Sequence, residues 1–294
     1  MVIKYGFGKV ILFGEHFVVY GLPGIASRVD KNVTVIITKT KGVFKIKNAF
    51  FGNKNDDEII IQLIKAMFPE IKLKDMTISI SGDIIPKSGM GYSAALSVAL
   101  AKAIANHKGI SIKDINKIAF EAEKVSHGKP SGIDNSASTS DKPIWFENKT
   151  AKELHLKKEV IFVATFTNKF SSTKDLIIKT RKFLDNNLER FEEIKDLYQL
   201  IVFEARQALE KDEIEKLSIL MRENHDLLKE IGASCPEIED TIKESYEHGA
   251  IGSKLTGAGG GGWIISIVKN KADADELVDY FNSIGKESFI VKIK

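Results

Sequence analysis

The chemistry-bearing residues of this 294-residue chain fall in a few short stretches. Pro86-Lys87-Ser88-Gly89-Met90-Gly91-Tyr92-Ser93-Ala94-Ala95 is a glycine-bearing loop that runs into an apolar segment. Glycines at 89 and 91 let backbone approach a ligand closely. The first N–H groups of the helix that follows are unsatisfied, and with the helix dipole they make an anion site. Ser93 falls at the helix start, where a hydroxyl either caps the helix or coordinates Mg2+. A tight turn with Ser93 as N-cap is the plainer reading. The small Ala94 and Ala95 favour phosphate, which needs uncluttered backbone. Glu123 sits beside the apolar stripe of a helix, and eleven residues on Asp134 lies in the small polar loop Pro130-Ser131-Gly132-Ile133-Asp134. Alone, Glu123 next to Glu121 and Lys124 reads as a surface charge. Two carboxylates converging near a polyphosphate would instead divide the work, one holding Mg2+ and one facing the nucleophile.

Other stretches read less directly. Lys9 ends Gly6-Phe7-Gly8-Lys9, and the pair Glu15-His16 follows the apolar Val10-Ile11-Leu12-Phe13. No His-Glu-x-x-His zinc pattern surrounds that pair. The run Gly257-Ala258-Gly259-Gly260-Gly261-Gly262 costs too much chain entropy for a casual hairpin, so backbone there approaches a ligand or another loop. Gly89-x-Gly91-x-x-Ala94 and Gly257-x-Gly259-x-x-Gly262 both fit the dinucleotide fingerprint, but the second runs into a strand and the first lacks a second strand ending in an acid. Walker-type and protein-kinase motifs are absent. Gly91-Tyr92-Ser93-Ala94-Ala95 also approximates a hydrolase nucleophile elbow, with Asp134 and one of His155, His225 or His248 to follow, although none of those histidines has a distinctive context.

The elements that must position these residues can be traced from pattern. Residues 10–13, 33–38, 43–46, 77–81, 143–146 and 160–166 are rich in β-branched and aromatic residues and read as strands. Residues 57–68 read as a short helix stopped by Pro69. The segment after the 86–95 loop is apolar nearly all round and reads as a buried helix. Ser111, with Asp114 three residues later, resembles a capping-box start for the helix through Ile115, Ile118, Ala119, Ala122 and Val125. Residues 127–141 are a linker or a site loop, 172–248 are mainly helical, and the end reads β-β-α-β. A boundary near 150–160 divides the chain about in half, giving domains 1–155 and 156–294.

Composition bounds the rest. Hydrophobic residues are 43% and charged residues 28%, the mix of a globular chain able to bury a large core. Cys235 is the single cysteine, which excludes an intramolecular disulfide and a cysteine-based zinc site. The 43 basic and 40 acidic residues alternate, with few arginines, unlike a nucleic-acid-binding face. No apolar run suits a signal peptide or a membrane span, so a cytoplasmic protein is expected, without nucleic acid or membrane as partner.

In this order the segments resemble the GHMP kinase superfamily and, within it, the mevalonate kinase branch. Lys9-Val10-Ile11-Leu12-Phe13-Gly14-Glu15-His16-Phe17-Val18-Val19-Tyr20-Gly21 resembles the first family motif, the 86–95 loop its ATP loop, and Lys254-Leu255-Thr256 with the glycines its third. Glu123 and His127-Gly128-Lys129-Pro130-Ser131-Gly132-Ile133-Asp134 resemble the acidic segment, and Phe170-Ser171-Ser172-Thr173-Lys174 is similar to a stretch of archaeal members. The family usually has a serine where Tyr92 stands. The resemblance implies an α/β (α+β) protein of two domains, an N-terminal one like ribosomal protein S5 domain 2 and a C-terminal ferredoxin-like one. It implies ATP and Mg2+ as cofactors. ATP would be held by Lys87, Ser88, Gly89, Met90, Gly91, Tyr92, Ser93 and Ala94, with Gly257, Ala258, Gly259 and Gly260. Ser93 and Glu123 would bind the metal, Asp134 and Lys9 would be catalytic, and Glu15, His16 and Thr173 would line the pocket of a small-molecule acceptor. The implied reaction phosphorylates the primary hydroxyl of mevalonate. A sister kinase of phosphomevalonate, homoserine or a sugar, and a non-catalytic ATP-binding homologue, are the alternatives. Oligomeric state is left open, a homodimer included.

Overall fold

The computed structural model describes residues 1–50, 54–128, 130–170 and 173–294. It resolves into two compact units, each assembled from separate stretches of the chain. One comprises Met1–Lys9, Arg28–Pro86 and Met90–Asp141, and the other Val10–Ser27, Lys87–Gly89 and Lys142–Lys294. The boundary expected at 155/156 falls just before the strand that opens the second unit's main sheet.

The first unit begins with strand β1 (Val2–Phe13), which supplies its residues up to Lys9, and continues with most of β2 (Gly24–Lys39), then β3 (Phe44–Asn48), helix α1 (Lys54–Met67) and β4 (Met76–Gly82). β4 pairs antiparallel with β2, Val33 opposite Gly82 and Lys39 opposite Met76. β3 runs parallel to β4, as it must when a helix carries the chain back across the sheet. Both long strands exceed the apolar stretches that mark them in the sequence, because their outer residues mix glycine and charged residues among the apolar ones. Three helices complete the unit: α2 (Tyr92–Lys108), α3 (Ile115–His127) and α4 (Ile133–Thr139). α2 is buried from Ala94 to Ala101 as its all-round apolar sequence predicts, and it packs against α3 and α4.

β1 crosses α2 at backbone-to-backbone distance. A Cβ on Gly6 would lie 1.9 Å from Ala95 O, and one on Gly8 would lie 2.9 Å from Met90 O. The glycines of β1 and the alanines opening α2 are thus explained by this contact. The N-cap of α3 is Asp114, whose side chain accepts from Lys117 N at 3.1 Å. The expected Ser111 start lies too early, since residues 111–113 are outside the helix. The 127–141 stretch is neither linker nor plain loop, because α4 forms within it after Gly132, at φ 95°.

The second unit holds the hairpin β5 (Ile144–Glu147) and β6 (Thr150–Glu153), with β5 pairing the Gly24–Ala26 end of β2. Its main sheet starts with β7 (Val160–Phe166). Four helices follow, α5 (Thr173–Asn186), α6 (Leu188–Lys211), α7 (Ile214–Glu230) and α8 (Pro236–Glu247), then β8 (Gly252–Thr256), β9 (Trp263–Ile267), α9 (Lys271–Ser283) and β10 (Ser288–Ile293). The strand order is β10-β7-β9-β8, every neighbouring pair antiparallel. In chain order that is fourth, first, third, second, the ferredoxin-like β-α-β-β-α-β arrangement with an enlarged first crossover. Val163, Val268, Ala274, Leu277 and Phe281 close the core between sheet and α9. Among the described residues no helix is long and apolar enough to cross a membrane.

Candidate active site

In the first unit the structure gathers Lys9, Ser93, Glu123 and Asp134. α2 starts directly after Gly91, which adopts φ 76° and makes no side-chain cap. Ser93 is therefore inside the first turn rather than at the N-cap. Its hydroxyl donates to Glu123 Oε1 at 2.7 Å, so the plainer capping reading does not hold. Glu123 is 2% exposed on α3. Burial pushes its carboxyl above the usual carboxylate range, and neighbouring Asp134 pushes the same way. The Ser93 hydrogen bond, His127 and Lys9 oppose that shift. His127 Nε2, one turn along α3, lies 3.6 Å from Glu123 Oε2.

Lys9 reaches the same place from β1. Its backbone N–H donates to Met90 O at 3.0 Å, and its buried side chain brings Nζ to 3.4 Å from Asp134 Oδ1, in the first turn of α4. Gly91 makes room for it: a Cβ there would stand 2.8 Å from Lys9 Cγ and 3.3 Å from Cε. Tyr92 opens α2 with its ring edge-on to Phe50, centroids 5.4 Å apart. Gly91, as N-cap, offers α2 no side-chain cap, and a helix N-terminus suits an anion.

Donor chemistry allows a cation here. A carboxylate and a hydroxyl oxygen side by side are hard donors of the kind Mg2+ takes, and Mg2+ draws its remaining ligands from water and substrate phosphates. Among the described residues no group of three His, Cys, Asp or Glu could hold a metal unaided.

In the second unit the structure gathers the 14–23 turn, β8 and the glycine-rich loop. Phe17 stacks on Tyr198 of α6 at 4.0 Å between centroids, and Tyr198 Oη donates to Pro23 O at 2.6 Å. Glu15 is buried and pairs with Lys254 of β8. His16 Nε2 lies 2.7 Å from Ala258 O, and burial lowers its pKa. The glycine run answers to other loops. A Cβ on Gly259 would lie 2.1 Å from Ala233 O, and one on Gly261 would lie 2.5 Å from Lys169 O. Gly260 N donates to Ala233 O and Gly262 N to Lys169 O. A Cβ on Gly257 would meet Gly89 O at 3.3 Å, and one on Gly262 would meet Ser88 O at 3.0 Å. Lys87 and Gly89 are exposed with positive φ, and Ser88 is buried with no partner for Oγ among the described residues.

Of the remaining candidates, Met90 and Ala94 are buried and serve the packing. Thr173 is the first residue of α5, but its side chain, with Ser171, Ser172 and Lys129, lies outside the described residues. The structure singles out two residues that sequence reading left without a settled role, His225 having been named only as one of three histidines for the hydrolase alternative. Lys254 stood inside a quoted motif without a role, and its partner is 239 positions away. His225 is buried on α7, its Nε2 3.0 Å from Glu239 Oε1 and its Nδ1 accepting from Leu255 N at 3.4 Å. A histidine on the apolar face of a helix was the only available signal.

Comparison with known proteins identifies the family and the fold. Residues 58–141 match the family profile described as GHMP kinases N terminal domain, and residues 205–287 that described as GHMP kinases C terminal. The mevalonate kinase of Aeropyrum pernix is 30% identical over 282 residues, spanning 89% of this chain and 87% of its own length. The crystal structure of L. major mevalonate kinase in complex with R-mevalonate superposes with a TM-score of 0.86 at 27% identity, covering 99% of this chain and 96% of that one. For the Methanococcus jannaschii mevalonate kinase the TM-score is 0.86 at 26% identity, over 100% and 98% of the chains. With both of its domains matched, a relative at this identity along nearly its whole length, and a mixed α/β fold shared with solved members, the chain belongs to the GHMP kinases.

Proposed function

We propose that this kinase transfers the terminal phosphoryl group of ATP to the primary hydroxyl of mevalonate, giving 5-phosphomevalonate and ADP. The observation that carries the reading is the convergence of Lys9, Ser93, Glu123 and Asp134 in a chain whose full-length relatives are named mevalonate kinase. A protein that only bound ATP would have no use for Asp134 beside Lys9.

Phosphoryl transfer passes through a loose transition state, so positioning and charge stabilisation dominate its catalysis. In this reading ATP is bound by Lys87, Ser88, Gly89, Met90, Gly91, Tyr92, Ser93 and Ala94 and by Gly257, Ala258, Gly259 and Gly260, as the family resemblance implies. Ser93 and Glu123 would hold Mg2+, which when bound would neutralise charge on the phosphate oxygens. Asp134 accepts the hydrogen bond of the attacking hydroxyl and stands ready to take its proton as the new O–P bond forms and the bond to ADP breaks. Lys9 offsets negative charge on the acceptor oxygen and the group in transit, and holds Asp134 in place through their ion pair. Glu15, His16 and Thr173 are the acceptor-binding residues of this reading, as the family resemblance implies. Residues 1–155 and 156–294 are the two GHMP kinase domains of this reading.

A coupled ADP-release assay with Mg-ATP tests it, comparing mevalonate, phosphomevalonate, homoserine and galactose. Turnover on mevalonate, reduced at least ~10²-fold by Asp134→Asn, is expected. Turnover on another acceptor alone would transfer the assignment to that substrate.

A further inference from the structure

Glu15 and Lys254 form an ion pair in the second unit with no exposed side-chain surface on either partner. Taking two charges out of water is costly, and removing one strands the other. The surroundings of this pair give it a purpose. Just past Glu15, His16 is held at φ 63°, in the left-handed region that a side-chain-bearing residue occupies when its context imposes it. Lys254 donates a further hydrogen bond to Leu255 O at 2.8 Å. On one side of the pair, Thr256 Oγ1 accepts from Ile11 N and donates to Ile11 O, each at 2.9 Å. On the other, His16 Nε2 meets Ala258 O at 2.7 Å. A carbonyl oxygen only accepts, so Nε2 carries the proton. Burial favours the neutral ring, which leaves Nδ1 as a hydrogen-bond acceptor. The ion pair is thus the buried rung of a short ladder that joins the end of β1 to β8 and the glycine-rich loop.

We propose that Glu15 and Lys254 are positioning residues, which fix the 14–16 turn against β8 so that His16 presents Nδ1 to the acceptor substrate, while Glu15 itself makes no contact with that substrate. This rests on the reading above, in which Glu15 and His16 serve the acceptor, and refines it. A carboxylate with no exposed surface and a lysine against it is spent on the fold, whereas the histidine next to it is only partly buried.

The test uses Lys254→Met, Glu15→Gln and the double variant, in which the pair is replaced by neutral groups of similar size. Two-bond ¹H–¹⁵N spectra of histidine-labelled protein read the His16 ring directly, its signal assigned with His16→Gln. The unaltered protein should show the Nε2–H tautomer. Lys254→Met should displace that signal, and the double variant should restore it, because no charge is then left in the interior. In kinetics, Lys254→Met should raise KM for mevalonate about tenfold or more while KM for ATP stays within about threefold. The double variant should reverse most of that rise, whereas a merely destabilised protein would lose apparent kcat with both KM values unchanged. A His16 signal unmoved in both single variants overturns the proposal. So does a KM rise in Glu15→Gln that persists undiminished in the double variant, the mark of direct substrate contact by Glu15. Absence of mevalonate turnover in the unaltered protein would sink the functional reading alone, since the histidine spectra decide the role of the pair independently.

Discussion

Replacing Gly91 with alanine separates backbone strain from displacement of Lys9. Gly91 adopts φ 76°, ψ 30° as the N-cap of α2, a conformation that costs an L-residue roughly 1–2 kcal/mol. At ~2–4 °C per kcal/mol for domains of moderate size, the melting temperature should fall by roughly 2–8 °C. The added Cβ would stand 2.8 Å from Lys9 Cγ, against ~3.5–4.0 Å for an ordinary carbon contact, so the lysine stem must retreat by roughly 0.7 Å or more. Misplacing a catalytic group by about 1 Å costs about 10²-fold, and kcat should drop roughly 10- to 100-fold. Gly109→Ala is the control. Gly109 caps the other end of the same helix with φ 68°, ψ 28°, and a Cβ there meets nothing within 4 Å. It should lose similar stability and keep its kcat. The assay is steady-state ADP release at saturating mevalonate and Mg-ATP, with a thermal melt of each variant. A Gly91→Ala protein within threefold of normal kcat, or a Gly109→Ala protein equally impaired, would refute the argument that Gly91 exists to seat Lys9.

Glu123→Gln should raise the melting temperature measured without nucleotide or metal, because burial holds this carboxyl above its usual range and the amide removes that cost while still accepting from Ser93. The same change should lower kcat at least ~10²-fold; a variant both less stable and active would contradict the role given to Glu123. Stability should also fall on acidification from pH 7.5 to 5.5. His16 and His225 have pKa values depressed by burial, so the unfolded chain binds more protons as pH drops through about 6.5, and the stability present above that value is lost. His225→Gln should flatten part of this slope in melting curves taken across the range, and an unchanged slope would mean the ring is not held neutral.

Much of the fold is local enough to read from the chain. β7 occupies the 160–166 stretch that its β-branched run marks, and the C-terminal β-β-α-β order appears as expected. Elsewhere competing contacts won. Asp114 rather than Ser111 caps α3 because the helix begins where its own first N–H groups can reach that carboxylate. Ser93 gave up the cap because Gly91 already turns the chain, freeing the hydroxyl for Glu123. The glycine run 257–262 read as backbone approaching a ligand or another loop, and at Gly259 and Gly261 it is the second, with the carbonyls of Ala233 and Lys169 filling the space. Sequence alone shows that side chains are missing there, not which backbone takes their place.

The amino-acid sequence by itself determined the kind of chemistry and the family. A glycine-bearing loop entering an apolar helix, two spaced carboxylates, and a lysine and Glu-His pair around an apolar strand are local patterns, and local patterns survive without coordinates. The tertiary structure alone decided which of these groups act on one another. Lys9 meets Asp134, Ser93 meets Glu123, and Glu15 meets Lys254 across 239 positions. Such pairings depend on strand order and on backbones brought within a glycine's width, as at Gly6 against Ala95. Burial then gives each charge its meaning: the same glutamate is an ordinary surface charge in solvent, a destabilising carboxylate beside Ser93, or a structural anchor beneath Lys254.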